Sequence, residues 1–162
     1  MITYYTYVTS PIGRLLLAGD GVAIERLHFS SGSKAQEPAA DWVERPEMFT
    51  SPAQQLEAYF QGALQDFTLP VNPQGTAFQL AVWRELVKIP YGCTVTYGEL
   101  AKRLGNSQAS RAVGLANGAN PIAIVQPCHR VIGANGKLTG FGGGLDVKQR
   151  LLDLERGAPR MF

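Results

Sequence analysis

The stretch PIAIVQPCHRVIG, residues 121–133, runs apolar to Pro127 and then sets a cysteine, a histidine and an arginine side by side. A cysteine reacts as its thiolate, which nearby positive charge or a base promotes, and Cys128 has His129 and Arg130 directly after it. Neighbouring side chains point in different directions, so a direct thiol–imidazole hydrogen bond between residues 128 and 129 is hard to build. Either the pairing is accidental or something bridges it. The apolar run predicts a core strand with Cys128 at its end, held by a stiff turn at Pro127. The second cysteine, Cys93 in YGCTVTY, lacks such neighbours and reads as a small buried hydrophobe. His28, in a strand-like run, reads as structural.

Downstream, GANGKLTGFGGG (133–144) holds six glycines in twelve residues, a density that allows a tight loop over a ligand. It lacks the lysine-and-hydroxyl pattern of a phosphate loop. In LDVKQRLLDLERG (145–157), Val147, Leu151 and Leu154 share one helical face, and Glu155 projects toward the same side. A carboxylate there either reaches solvent at the helix end or is buried with a partner. His129 is the obvious candidate, since carboxylates commonly orient imidazoles.

Upstream, TAFQLAVWRELVKIP (76–90) opens with Thr76 and Gln79 at capping-box spacing and keeps Phe78, Val82, Leu86 and Ile89 in helical register until Pro90. TYGELAKRLG (96–105) repeats the cap signal with Thr96 and Glu99, and Gly105 fits its end. NSQASRAVGLANG (106–118) follows, with Ser107 as the predicted cap. Two short helices joined this way outline a helix-turn-helix or an ordinary helical hairpin. In the second, Ala109, Ser110, Ala112, Gly114 and Ala116 are small and Arg111 stands among them. Small residues permit close approach, either to DNA or to another helix.

The first half reads differently. TYYTYVT and RLLLAG form a hairpin about the SPIG turn, VAIERLHF is a third strand, and residues 30–50 read as a surface loop. SPAQQLEAYFQG (51–62) is a predicted helix with Ser51 as cap, Pro52 at its first position, Gln54 completing a capping box, and Leu56, Tyr59 and Phe60 inward. TLPVNPQG is a linker, which places a boundary near Gly75. Residues 1–76 carry 4 basic and 8 acidic side chains, whereas 77–162 carry 11 basic and 5 acidic, so balances of −4 and +6 make up the net +2. A basic second half suits a polyanionic partner, although ordinary scatter of surface charge gives the same numbers. Two cysteines and two histidines in 162 residues are too few for a disulfide framework or a zinc site. No run is long enough for a membrane helix, and the start lacks a signal-peptide pattern, so a cytoplasmic protein is expected.

PCHRVIG, preceded by GANPIAIVQ and followed by the glycine-rich loop, resembles the active-site signature of the O6-alkylguanine-DNA alkyltransferases, also called methylated-DNA–protein-cysteine methyltransferases. The likeness continues through TAFQLAVWRELVKIPYG, TYGELA, SRAVGLANG and the final helix, spanning nearly all of residues 76–157. The first half matches more loosely, in the SPIG turn and the LEAYFQG helix. The resemblance implies an α/β chain in two parts. Residues 1–75 would form a ribonuclease-H-like sheet-plus-helix domain. Residues 76–162 would form a mainly helical, winged-helix-like domain carrying the helix-turn-helix.

The resemblance also implies roles. Cys128 would take an alkyl group from O6-alkylguanine, with O4-alkylthymine a second candidate, in a single irreversible turnover. His129 would act as base through a water molecule, Glu155 would orient it, and Asn120 would stabilise the turn before the cysteine. Tyr97 would contact the flipped base and favour its departure. Arg111 would enter the base stack, with Ala109, Ser110, Ala112 and Gly114 approaching the minor groove of double-stranded DNA. The backbone near Val131, with Phe141 and Gly142, would line the guanine pocket. No cofactor, metal or transcriptional role is implied, and the chain is expected to act as a monomer away from membranes. Leu115 departs from relatives that have glycine there. Two other readings remain: a non-catalytic lesion binder, which carries another residue in place of the cysteine, and a turnover hydrolase using Cys128 and His129.

Overall fold

The computed structural model describes residues 1–30, 32 and 35–157. Strands β1 (Tyr4–Ser10), β2 (Gly13–Gly19) and β3 (Ile24–Phe29) form an antiparallel meander, and β4 (Val43–Glu44) pairs parallel to β1, giving the order β3-β2-β1-β4. The predicted hairpin and third strand are therefore present. The predicted loop 30–50 contains β4 and a 3-10 turn, Pro46–Phe49, which runs directly into α1 (Thr50–Phe60). That continuity removes the need for a side-chain cap. Ser51 lies inside the helix and accepts from Gln55 Nε2 at 3.2 Å, so it is not the cap, and no capping box forms with Gln54. Leu56, Tyr59 and Phe60 are buried as their spacing predicts.

The free edge of β3 would be a template for another chain; here it is covered by two separate segments of this one. Ile24 N donates to Pro70 O and Asn72 N to Ile24 O, while Leu27 N donates to Pro121 O and Ala123 N to Leu27 O, at 2.8–3.1 Å. The first bridge holds the linker. The second brings the segment before Cys128 against the sheet, as an isolated bridge at Ile122 followed by turns rather than the predicted core strand. Ile124 has φ 70°, a conformation β-branched residues rarely adopt, and only a well-determined surrounding holds it.

The second half contains α2 (Ala77–Val87), β5 (Val95–Thr96), α3 (Tyr97–Arg103), α4 (Ser110–Gly118), a 3-10 turn at Cys128–Arg130, β6 (Val131–Ile132) and α5 (Leu145–Glu155). The Thr76–Gln79 capping box is complete, with both reciprocal bonds made, and Thr96 accepts from Glu99 N. Ser107 is not the cap of α4. That helix starts at Ser110, after a turn organised by Asn106 Oδ1, which accepts from Gln108 N. Phe78, predicted to face the core, is 41% exposed; the inward residues of α2 are Val82, Trp83 and Leu86. Among the described residues no helix is long and apolar enough to cross a membrane.

Two apolar clusters result. One joins the sheet and α1 to Ile122, Ile124 and the Val147–Leu151–Leu154 face of α5, so both halves of the chain share it. The other packs α2, α3 and α4 around Val131 and Cys128, with Trp83 Nε1 donating to Ala116 O. Phe141 touches both, and its ring meets Phe29 at 5.4 Å between centroids. The glycine-rich loop can lie this close only because Gly143 has no side chain: a Cβ there would stand 2.7 Å from the Phe29 ring. Gly143→Ala should therefore lower unfolding free energy by about 1–3 kcal/mol, the usual cost of overpacking, measured by urea denaturation.

Candidate active site

Cys128 sits on the 3-10 turn at the seam between the two clusters, 6% exposed. The turn is fixed from behind. Asn120 Nδ2 donates to Gln126 O at 2.7 Å, and Asn120 Oδ1 accepts from Ile122 N and from Gln126 Nε2. Asn117, on α4, donates to Cys128 O at 3.3 Å and so ties the cysteine to the helix-turn-helix. Burial pushes the thiol pKa up, while the Asn120 amide and the Lys148 ammonium work the other way.

The chemistry of the neighbouring histidine follows from Glu155. Its two oxygens receive Tyr59 Oη–H at 2.6 Å, His129 Nε2 at 2.7 Å, Arg130 Nε at 2.7 Å and Arg130 Nη2 at 3.0 Å. Burial opposes charge on this carboxyl, but the hydrogen bonds from His129 and Arg130, with the Arg130 charge, overcome it and hold the group well below the usual carboxylate range. An ionised carboxylate only accepts, so His129 Nε2 must carry the proton. Burial also lowers the His129 pKa against the pull of Glu155, which keeps the ring neutral. Its lone pair is then on Nδ1, a buried atom with no hydrogen-bond partner among the described residues. Both ring nitrogens are thereby accounted for, and neither contacts the thiol directly.

The Tyr59 hydroxyl and Lys148 do not follow from the sequence as parts of this site, and Arg130, expected beside Cys128 as a charge that promotes the thiolate, turns to Glu155 instead. Arg130, buried, donates Nη1–H to Ile89 O as well as clasping Glu155. Tyr59 reaches Glu155 from the first half of the chain. Lys148 is fully buried and donates to Val131 O at 2.7 Å and Thr139 O at 3.2 Å. Its position seven residues before Glu155, on the same helical stripe, was the available signal. Cys93, expected to be buried, is exposed.

A narrow cleft opens onto Cys128, lined by His28, Asn117, Asn120, Phe141 and Gly142 among others. Its volume of about 30 Å³ leaves room for a water molecule. Val131 lies outside it, with its carbonyl taken by Lys148. Tyr97, at the start of α3, also stands outside; its hydroxyl shares a 2.8 Å hydrogen bond with Thr139, and its ring packs over Gly114. On α4, Arg111 and Ala112 are exposed and Leu115 is 74% exposed, while Ala109, Ser110 and Gly114 are half-buried. Arg111 has no acidic partner among the described residues. No cluster of three or more His, Cys, Asp or Glu that could hold a metal is found among them.

A helix pair with an exposed arginine is set against a buried cysteine whose neighbouring histidine is oriented by a carboxylate. Two family models match, "6-O-methylguanine DNA methyltransferase, ribonuclease-like domain" over residues 3–73 and "6-O-methylguanine DNA methyltransferase, DNA binding domain" over 77–157. The chain is 57% identical over 152 residues to the methylated-DNA–protein-cysteine methyltransferase of Methanosarcina acetivorans, covering 94% of this chain and 97% of the relative. It superposes on the Mycobacterium tuberculosis O6-methylguanine methyltransferase with a TM-score of 0.90, at 47% identity, covering 99% and 97% of the two chains. A structure of the M. tuberculosis protein in complex with DNA gives the same TM-score at 49% identity, with 96% and 95% covered. The chain belongs to the 6-O-methylguanine DNA methyltransferase family.

Proposed function

We propose that this chain repairs O6-alkylguanine in double-stranded DNA by moving the alkyl group onto Cys128, once per molecule. The observation that carries the reading is the neutral His129, its Nδ1 lone pair unpartnered one residue from Cys128 and its Nε2–H fixed by Glu155. A bridging water passes the thiol proton to Nδ1. The thiolate then attacks the alkyl carbon, the carbon–O6 bond breaks, and its electron pair leaves on guanine O6. Tyr97 Oη–H gives its proton to the base so that guanine departs neutral, and the tyrosinate and the His129 imidazolium then re-equilibrate through solvent, with no net gain or loss of a proton. The thioether has no easy reverse step, so turnover ends there.

The lesion lies inside the duplex, so the nucleotide must be everted, at a cost of a few kcal/mol. Arg111 fills the stack it leaves, with Ala109, Ser110, Ala112 and Gly114 of α4 against the minor groove. Exposed Leu115 adds an apolar contact there. The basic second half attracts the phosphates without reading sequence. The cleft admits a purine when the segment at Gly140, Phe141 and Gly142 gives way. Two units meeting near Gly75, 1–75 and 76–162, divide the work, and one monomer suffices for each lesion.

The test is a titration of the protein against an O6-methylguanine duplex, read by intact mass. The expected result is a gain of one methylene on Cys128, saturating at one equivalent; product beyond one equivalent would favour a hydrolase and defeat the proposal. Arg111→Ala should slow transfer from duplex at least tenfold, because eversion loses the group that holds the stack apart. Single-turnover rates on duplex and on the free alkylated base, which needs no eversion, locate that loss.

A further inference from the structure

One buried ionisable group in the Cys128 cleft has no task in that chemistry. His28 is 8% exposed, lines the cleft from the N-terminal side, and has an Nε2 that is buried without a hydrogen-bond partner among the described residues. Topology puts it there. The Leu27–Pro121 and Leu27–Ala123 bonds lay β3 beside the chain leading to Cys128, and Phe29, the next residue, backs the glycine-rich loop. The ring is buried with no partner for Nε2 among the described residues, a costly choice for packing alone. Burial, and then the charge of Arg26, lower the His28 pKa to about 4. The ring is thus neutral near pH 7, with one nitrogen a donor and the other an acceptor. Guanine offers both kinds of group along its edges.

We infer that His28 is a specificity-determining residue of the acceptor pocket, its Nε2 hydrogen-bonding the everted alkylated base once the glycine-rich loop yields. This rests on Cys128 being the alkyl acceptor. It assigns part of base recognition to the N-terminal sheet, so that both halves of the chain read the substrate.

The test compares wild type, His28→Leu and His28→Gln in single-turnover transfer from an O6-methylguanine duplex, followed by intact mass. Affinity for an undamaged duplex and alkylation of Cys128 by iodoacetamide are measured alongside. Glutamine can place its amide nitrogen close to the site of the histidine Nε2. His28→Leu should raise the lesion-duplex concentration for half-maximal rate about tenfold, the scale of one lost hydrogen bond. His28→Gln should recover most of that, with undamaged-duplex affinity and iodoacetamide reactivity unchanged in both. Identical kinetics in the three chains would overturn the inference. So would a loss that glutamine does not recover, or a matching loss of iodoacetamide reactivity, which marks a packing role. His28→Phe replaces the leucine variant if that chain does not fold. A wild-type protein that gains no mass would instead remove the acceptor reading itself, and the role of His28 with it.

Discussion

Cys128→Ser should accept no alkyl group from O6-methylguanine DNA while still binding the duplex. A thiol ionises near pH 8.5 in the open and is a strong nucleophile as its anion. An alcohol in the same place stays protonated, and a neutral imidazole reached through water cannot make up the difference. The serine hydroxyl enters a site that is 6% exposed and packed among Val82, Trp83 and Val131. Its desolvation costs about 1–3 kcal/mol if unpaired, against a total stability of about 5–15 kcal/mol for a domain. The variant should therefore fold, with a lowered melting temperature. Cys93→Ser is the control: that thiol is exposed and lies outside the cleft, so the variant should gain one methylene as wild type does. A mass gain that survives in Cys128→Ser and vanishes in Cys93→Ser would overturn the assignment.

Much of this site was legible before the structure, for reasons that differ by residue. The Glu155–His129 pair could be anticipated because a carboxylate on the apolar stripe of a helix needs a partner, and only one candidate imidazole stood next to a reactive cysteine. The helix ends at Thr76 and Thr96 were readable because cap chemistry is local. Ser51 and Ser107 failed for the complementary reason: a preceding 3-10 turn and an Asn106 turn supply those ends, and neither follows from a capping pattern. Apolar content before Cys128 suggested a strand, yet the segment needs only one bridge to β3, a long-range contact that composition does not encode. Cys93 was misplaced because a lone cysteine's burial depends on tertiary packing. The Tyr59 contact and the Arg130 clasp do not follow from the sequence because a single glutamate gives no hint that five donor groups, from Gly92, Tyr59, His129 and Arg130, converge on it. His28 reads as structural from sequence because the cleft beside it is assembled only by the fold.

Glu155→Gln should cause the largest loss of stability of any single change at this site. Arg130 is buried, and Glu155 is its counter-ion through bonds of 2.7 and 3.0 Å. Removing one partner of a buried pair typically costs about 3–5 kcal/mol, because the remaining charge is stranded away from water. The glutamine amide also turns a donor toward either Arg130 or His129, where only acceptors are useful. Alkyl transfer should fall by at least about a hundredfold, the lower range for losing an acid–base group, since nothing then fixes the proton on His129 Nε2. Urea denaturation and single-turnover rates separate the two effects. In an Arg130→Leu/Glu155→Gln double variant the stranded charge is gone, so the loss of stability should be smaller than the sum of the two single losses while transfer stays slow. Acid unfolding offers an independent check. The folded carboxyl titrates well below the roughly 4.3 of an unfolded glutamate, so its stabilisation is whole above that pH and drains away beneath it. His28, lowered from 6.5 to about 4, contributes stability that is lost over that higher window as pH falls. Glu155→Gln should therefore shrink the limb below about pH 4, where Asp20 also contributes, and deepen the one beginning near 6.5, because His129 loses the partner that raises its pKa while His28 is unaffected; an acid profile unchanged from wild type would mean that Arg130 and His129 do not hold this carboxylate charged.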